Sequence, residues 1–249
     1  MKTKHLVIIG VLVFAVSLLL SAPIALLQAR LLPPTGATQL SGLDGTLSEG
    51  HAASLLRNGR GVASNLHWQF RPLSLLLGRA TFRIDGSGEN TFDGKISQLV
   101  GGAINLDAVR AAGPLKNLLA LTGDVAVPVD GRFGLMLDHA QIRKGFLTRA
   151  EGELHIDALR WTLAKEPPLL GDFLAKISTE KGVVIAKLEP SSGPLDVGGE
   201  VRLLADRNFE IDVRVKPKPT AEPLVQNLVR SLGQPDTEGW FHVRSRGQL

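Results

Sequence analysis

The rhythm of hydrophobic and polar positions changes once along the chain. From Leu6 to Leu27 the residues are apolar apart from Gly10, Ser17, Ser21 and Pro23. At 1.5 Å rise per residue this run is about 30 Å long, enough for one bilayer crossing. A secretory h-region is shorter, roughly 7–15 residues, and Leu20-Ser21-Ala22 followed by Pro23 makes a poor cleavage site. The pattern predicts an uncleaved transmembrane helix over 6–27. After residue 40 the period becomes two. Val62, Ser64, Leu66, Trp68 and Phe70 make one largely apolar face, and Ala63, Asn65, His67 and Gln69 the other. Phe82 and Ile84 alternate with Arg83 and Asp85, and Phe133, Leu135 and Leu137 alternate with Arg132 and Asp138. The pattern recurs in Leu154 and Ile156 against Glu153, His155 and Asp157, and in Ile211, Val213 and Val215 against Asp212, Arg214 and Lys216. Such strands have one dry and one wet face.

Asp-Gly occurs at 44–45, 85–86, 93–94 and 130–131, with Asn58-Gly59 besides, and these pairs predict two-residue hairpin turns. The expected fold is mainly β (β-rich α+β): a single N-terminal transmembrane helix, then an antiparallel, twisted or curved β-sheet with a few short covering helices. The clearest helix is Glu222 to Leu232, with Leu224, Val225, Leu228, Val229 and Leu232 on one face, Thr220 as its cap, and Gly233 with Pro235 as its stop. Apolar pieces at 72–77, 115–121 and 169–177 are too brief or interrupted to read as helices and are candidate lids over the dry face. A faint internal echo pairs Asp44-Gly45 followed by Leu66-His67-Trp68 with Asp130-Gly131 followed by Leu159-Arg160-Trp161.

Charge sets the orientation. Lys2 and Lys4 precede the span and Arg30 follows it, which keeps the N-terminus cytoplasmic and exports the bulk of the chain. The organisation expected is a cytoplasmic start over 1–5, the span over 6–27, a juxtamembrane linker over 28–39 and an exported β-rich domain over 40–249. The net charge of +4 is dispersed among acidic residues, which argues against a nucleic-acid surface. The densest basic spot, Lys216-Pro217-Lys218-Pro219, reads as a stiff solvated linker. The chain has no cysteine, which fits either side of a membrane.

Candidate chemistry is sparse. His51, His67, His139, His155 and His242 lack metal-ligand spacing, and the neighbours Asp138 and His139 point to opposite faces of a strand. Gly86-Ser87-Gly88 opens no helix, and Gly101-Gly102 and Gly198-Gly199 read as turns or bulges rather than phosphate cradles. The sequence points to a non-enzyme with no catalytic residue, metal site or cofactor.

Three segments carry a family resemblance: Gly45-Thr46-Leu47-Ser48-Glu49-Gly50, then Trp68-Gln69-Phe70-Arg71-Pro72-Leu73-Ser74-Leu75-Leu76-Leu77-Gly78-Arg79, then Leu232-Gly233-Gln234-Pro235-Asp236-Thr237-Glu238-Gly239 ahead of an alternating strand. In their order and spacing, behind one N-terminal span, they resemble the N protein family of type II secretion systems. Ser48 departs from the aromatic common at that place. The resemblance implies a single-pass protein of the bacterial inner membrane with a periplasmic bulk. It also implies an accessory role, by protein–protein contact, in exporting folded periplasmic proteins across the outer membrane. The implied partners are other components of the inner-membrane secretion platform and the inner membrane itself, with no nucleic acid. Trp68, Pro72, Leu76, Gly78 and Arg79 form the most family-like segment, as a partner-contact or structural motif. A lipid-binding or lipid-transfer β-groove is the alternative, because a dry face that holds acyl chains has the same alternation as one covered by helices.

Overall fold

The two-residue period is realised as antiparallel strands laid down in chain order. The computed structural model describes residues 21–24, 38–57, 60–99, 101–122 and 127–248. Its strands are β1 (Thr38–Gly45), β2 (Glu49–Arg57), β3 (Arg60–Arg71), β4 (Arg79–Ser87), β5 (Thr91–Leu99), β6 (Ile104–Pro114), β7 (Val129–Arg143), β8 (Phe146–Trp161), β9 (Leu169–Glu180), β10 (Val183–Ser192), β11 (Leu195–Leu203), β12 (Asn208–Pro217) and β13 (Phe241–Gln248). They make a 13-stranded sheet in which neighbours in sequence are neighbours in space. A 3₁₀ helix (Pro72–Leu77) joins β3 to β4, α1 (Leu115–Thr122) follows β6, and α2 (Pro223–Arg230) precedes β13. The fold is mainly β, as the alternation predicts. The predicted span over 6–27 lies outside the described residues except for 21–24, where Ser21, Ala22 and Pro23 form a turn, a bend and a bridge to Thr46 rather than helix. The predicted linker over 28–39 likewise lies outside them except for 38–39, which already belong to β1. Among the described residues no helix is long and apolar enough to cross a membrane.

Two compact units divide the chain, Met1–Thr91 and Phe92–Leu249. In the first, β2 and β3 pair Gly50 with Trp68 and His51 with His67, and β3 and β4 pair Phe70 with Phe82. The two phenylalanine rings meet with centroids 5.1 Å apart. Leu66, Trp68 and Phe70 face inward and Asn65, His67 and Gln69 outward, as expected. Ala63 breaks the pattern by being buried. The ladder slips between Ser64 and His67, where Asn65 takes φ 47°, and an inserted residue reverses the alternation before it.

The second unit holds the larger apolar core. Val225 and Val229 of α2 pack with Leu170 and Phe173 of β9, Leu195 of β11, Phe241 of β13 and Ala221. Burying each of the valine, leucine and phenylalanine side chains stabilises the unit by about 2 kcal/mol. A second cluster gathers Ala140, Ala150 and Val184.

Several expectations need correction. Asp85-Gly86, Asp93-Gly94 and Asp130-Gly131 lie inside β4, β5 and β7 rather than at turns. Gly94 is there because a side chain would press on Val109, and Gly131 because the ladder bulges between Asp130 and Arg132. Asp44-Gly45 does precede a reversal, and Asn58-Gly59 lies outside the described residues. The tight hairpins are instead made by Lys144-Gly145 (φ 50° and 75°) and Lys181-Gly182 (φ 50° and 82°), with the left-handed pair that such turns require. Residues 169–177 are strand β9, and residues 115–121 fall within helix α1. Helix α2 has Glu222 at its N-cap with no side-chain cap, so Thr220 does not cap it, and Leu224 and Leu232 stay exposed. Lys216 and Lys218 are not in a free linker: their ammonium groups donate to the carbonyl oxygens of Glu238 (2.6 Å) and Gly193 (2.9 Å). The internal echo is not equivalent in space. Asp44 sits at the turn end of its hairpin, while Asp130 pairs with Arg160 at the open end of the β7–β8 hairpin.

Candidate functional site

Two of the family-like segments meet at one end of the first unit. Strands β1 and β3 run the same way, so the turn after β1 and the connection after β3 emerge together. The turn is pinned by its own polar groups. Thr46 N–H donates to the Glu49 carbonyl (2.8 Å), Glu49 N–H to Thr46 Oγ1 (3.2 Å), and the Thr46 and Ser48 hydroxyls share a hydrogen bond of 2.9 Å. Trp68 Nε1 donates to the Thr46 carbonyl at 3.1 Å, and Phe70 N–H to the Ser48 carbonyl at 2.6 Å. The N-terminal piece reaches the same turn: Leu47 N–H donates to the Ala22 carbonyl (3.2 Å), Pro23 bridges to Thr46, and Ile24 is buried.

The connection itself is built to hold leucines outward. Pro72 starts the 3₁₀ helix and Gly78 closes it in the left-handed region at φ 67°, donating its N–H to the carbonyls of Leu75 and Ser74. Ser74 is the buried residue of this helix. Its hydroxyl donates to the Arg71 carbonyl (2.6 Å) and accepts from Thr81 N–H (3.1 Å). Leu73, Leu75, Leu76 and Leu77 are 77%, 43%, 84% and 71% exposed. The segment is therefore not a lid over the dry face. Arg71 and Arg79 flank it, both exposed. Of the residues singled out from sequence, Trp68 is half-buried and bonded to Thr46, Pro72 and Gly78 bound the helix, and Leu76 and Arg79 are exposed. The role of Ser74 was missed, and so was the exposure of its neighbours, although three consecutive leucines after a proline cannot all face one core.

A second surface lies on β13, the last strand of the sheet. It pairs with β12 from Asn208↔Gln248 to Val215↔Phe241. Among the described residues nothing pairs with its other edge. On one face Arg244 meets Asp212 (3.4 Å), Arg246 meets Glu210 (3.3 Å), and Arg202 pairs with Glu200, lining a shallow charged depression. Before β13 the third family-like segment forms a closed turn. Asp236 accepts from the N–H groups of Glu238 and Trp240, both at 2.9 Å, and from His242 Nε2 at 2.9 Å. These contacts, led by His242, bring its carboxyl down to about 2. Arg214 lies over the Trp240 ring, 4.7 Å from its centroid.

The histidines have partners that adjacency in sequence did not reveal. His139 Nδ1 lies 2.7 Å from Asp107 on β6, its register partner, rather than working with Asp138. His51 and His67 face each other across β2 and β3 with ring centroids 5.7 Å apart. Among the described residues no group of three or more His, Asp or Glu side chains could hold a metal.

These features define an antiparallel-sheet protein whose notable surfaces are an apolar corner and a free strand edge. The family model of type II secretion system protein N matches residues 36–244, and the chain belongs to that family. It is 29% identical over 264 residues to the type II secretion system protein N of Aeromonas hydrophila, with all of both chains covered. It is 24% identical over 227 residues to that of Vibrio cholerae, covering 88% of each. No solved structure matches it.

Proposed function

We propose that this protein is an inner-membrane-anchored accessory component of the type II secretion system. In this reading its periplasmic sheet supports export of folded proteins across the outer membrane through contact with other platform components, without catalysis. Membership of the secretion-system family over residues 36–244 carries the reading. The apolar run over 6–27 supports the tether. A tether raises the local concentration of the sheet at the platform, so weak contacts suffice.

The free edge of β13 is the proposed contact. Its backbone N–H and C=O groups can accept a partner strand, while Arg244 and Arg246 project from the face and leave the hydrogen-bonding edge open. The test is a photocrosslinking residue at Ser245 of the full chain, in cells carrying the whole secretion system. Adducts with a platform component are expected. Crosslinking that recovers no secretion component would sink the contact reading.

A second reading, acyl-chain binding along the sheet, is favoured by one observation. Leu106, Leu137, Leu147, Ile177 and Leu203 are only half-buried around their cluster. Stoichiometric phospholipid in native mass spectra of the detergent-purified chain would support it. The charged depression on β11 to β13 has the wrong lining for an acyl chain.

A further inference from the structure

The 3₁₀ helix inverts the usual sorting of side chains. A serine is buried and hydrogen-bonded on both sides, while four leucines stand in solvent. Scattered exposed leucines are ordinary on a protein surface, but contiguous ones held out by a dedicated scaffold mark a surface that meets something apolar. The scaffold is specific: Pro72 sets the helix start, Ser74 ties it to Arg71 and Thr81, and Gly78 ends it before β4.

We propose that Leu73, Leu75, Leu76 and Leu77 insert into the outer leaflet of the inner membrane, with Arg71 and Arg79 at the phospholipid headgroups. The proposal rests on the anchored reading above and adds a second, separate membrane contact. Two observations choose a lipid surface over a protein partner. The chain enters this end of the unit from the apolar run, since Ala22 and Pro23 lie against the turn at 46–48, which is bonded in turn to Trp68 and Phe70. The leucines thus emerge at the end of the strands where an anchored chain arrives. The charges also fit: arginines bracket the leucines, as at an interface where apolar side chains enter the acyl boundary and cations stay with anionic headgroups. Two acids share this end, Asp44 and Glu49 on either side of the β1–β2 turn, paired with His51 and Gln69, whereas the residues that directly flank the leucine helix are the two arginines.

The depth is limited by geometry. A single short helix carries its leucines only about 5–10 Å into the leaflet, the reach of interfacial segments. It would fix the tilt of β1 to β4 against the bilayer rather than add a crossing.

The absence of cysteine makes the test clean. Leu76→Cys and, at the far end of β3, Gly61→Cys each give one site for an environment-sensitive fluorophore on the full-length chain. Gly61 is exposed with open space around it, about 30 Å along the strand from the leucines. The chain is reconstituted into vesicles of phosphatidylcholine and phosphatidylglycerol containing spin-labelled lipid. We expect blue-shifted emission at position 76, quenched several-fold more strongly by the lipid-borne spins than at position 61. Water-like, unquenched emission at 76 from chains that still float with the vesicles overturns the insertion and leaves the anchor standing. Emission at 76 that becomes apolar only on adding other secretion-platform proteins, without quenching by lipid, also overturns it, in favour of a protein partner. Chains that do not float at all sink the anchor and the insertion together.

Discussion

Trp68 Nε1 donates to the Thr46 carbonyl oxygen across 22 residues of chain, and this bond joins the β1–β2 turn to the strand that leads into the leucine corner. The indole is half-buried, so its ring and its N–H both count. Trp68→Phe keeps most of the ring and loses the bond, costing about 1 kcal/mol, while Trp68→Ala also leaves a void and costs about 3 kcal/mol. Urea unfolding of the purified chain measures both. A Trp68→Ala protein of unchanged stability that had lost only partner crosslinks would reverse the structural role assigned here.

Gly50 pairs with Trp68 because nothing larger fits. A Cβ there would run into the indole ring and would lie 2.6 Å from the Asp44 carbonyl oxygen. Gly50→Ala should destabilise by about 1–3 kcal/mol. Adding Trp68→Phe removes the outer indole atoms that cause part of the clash, so the double variant should be less unstable than the sum of the singles. Strict additivity would place the strain in the backbone contact with Asp44.

Ser74→Ala separates scaffold from surface. It removes the hydroxyl that links the Arg71 carbonyl to Thr81 N–H, at a cost of about 1–2 kcal/mol for a buried polar pairing. By contrast Leu76→Ser, on a residue 84% exposed, should change stability by less than about 0.5 kcal/mol. Thermal unfolding of the two variants side by side gives the comparison.

Helix α2 shows how far the sequence could be read. Its existence follows from the spacing of Val225, Leu228 and Val229 and from Gly233 with Pro235 as its stop, and these three side chains do pack into the core. The extent of its dry face does not follow, because Leu224 and Leu232 fit the same periodicity and yet are exposed, Leu232 lying beyond the helix end at Arg230. Val225→Ala should therefore cost about 2 kcal/mol and Leu224→Ala well under 1 kcal/mol, read by urea unfolding. The same limit applies at the leucine corner. The family resemblance placed Trp68, Pro72, Leu76, Gly78 and Arg79 in one motif. It could not say which of them faces outward, because that depends on Ser74 reaching Arg71 and Thr81. Asp-Gly misled for a related reason: inside β5 and β7 its glycine answers to a neighbouring strand, while Lys-Gly makes the hairpins through backbone angles that composition hides.

The Asp236 turn should open in acid. Its carboxylate accepts from His242, Trp240 and Glu238, and these bonds, that from His242 foremost, lower its pKa from 3.8 to about 2. A carboxyl whose folded value lies below its unfolded value stabilises the closed turn above the unfolded value, and the contribution fades as pH falls toward the folded one. The turn should therefore be fully closed above about pH 4, by the ordinary carboxylate value, and should loosen between there and about pH 2. The Trp240 amide proton reports it directly, since that N–H donates to Asp236 Oδ1, and its NMR shift should titrate over this range. Asp236→Asn removes the titrating group while keeping an acceptor, so the shift of Trp240 should become flat with pH. A transition that persists in Asp236→Asn would assign the acid response to another group.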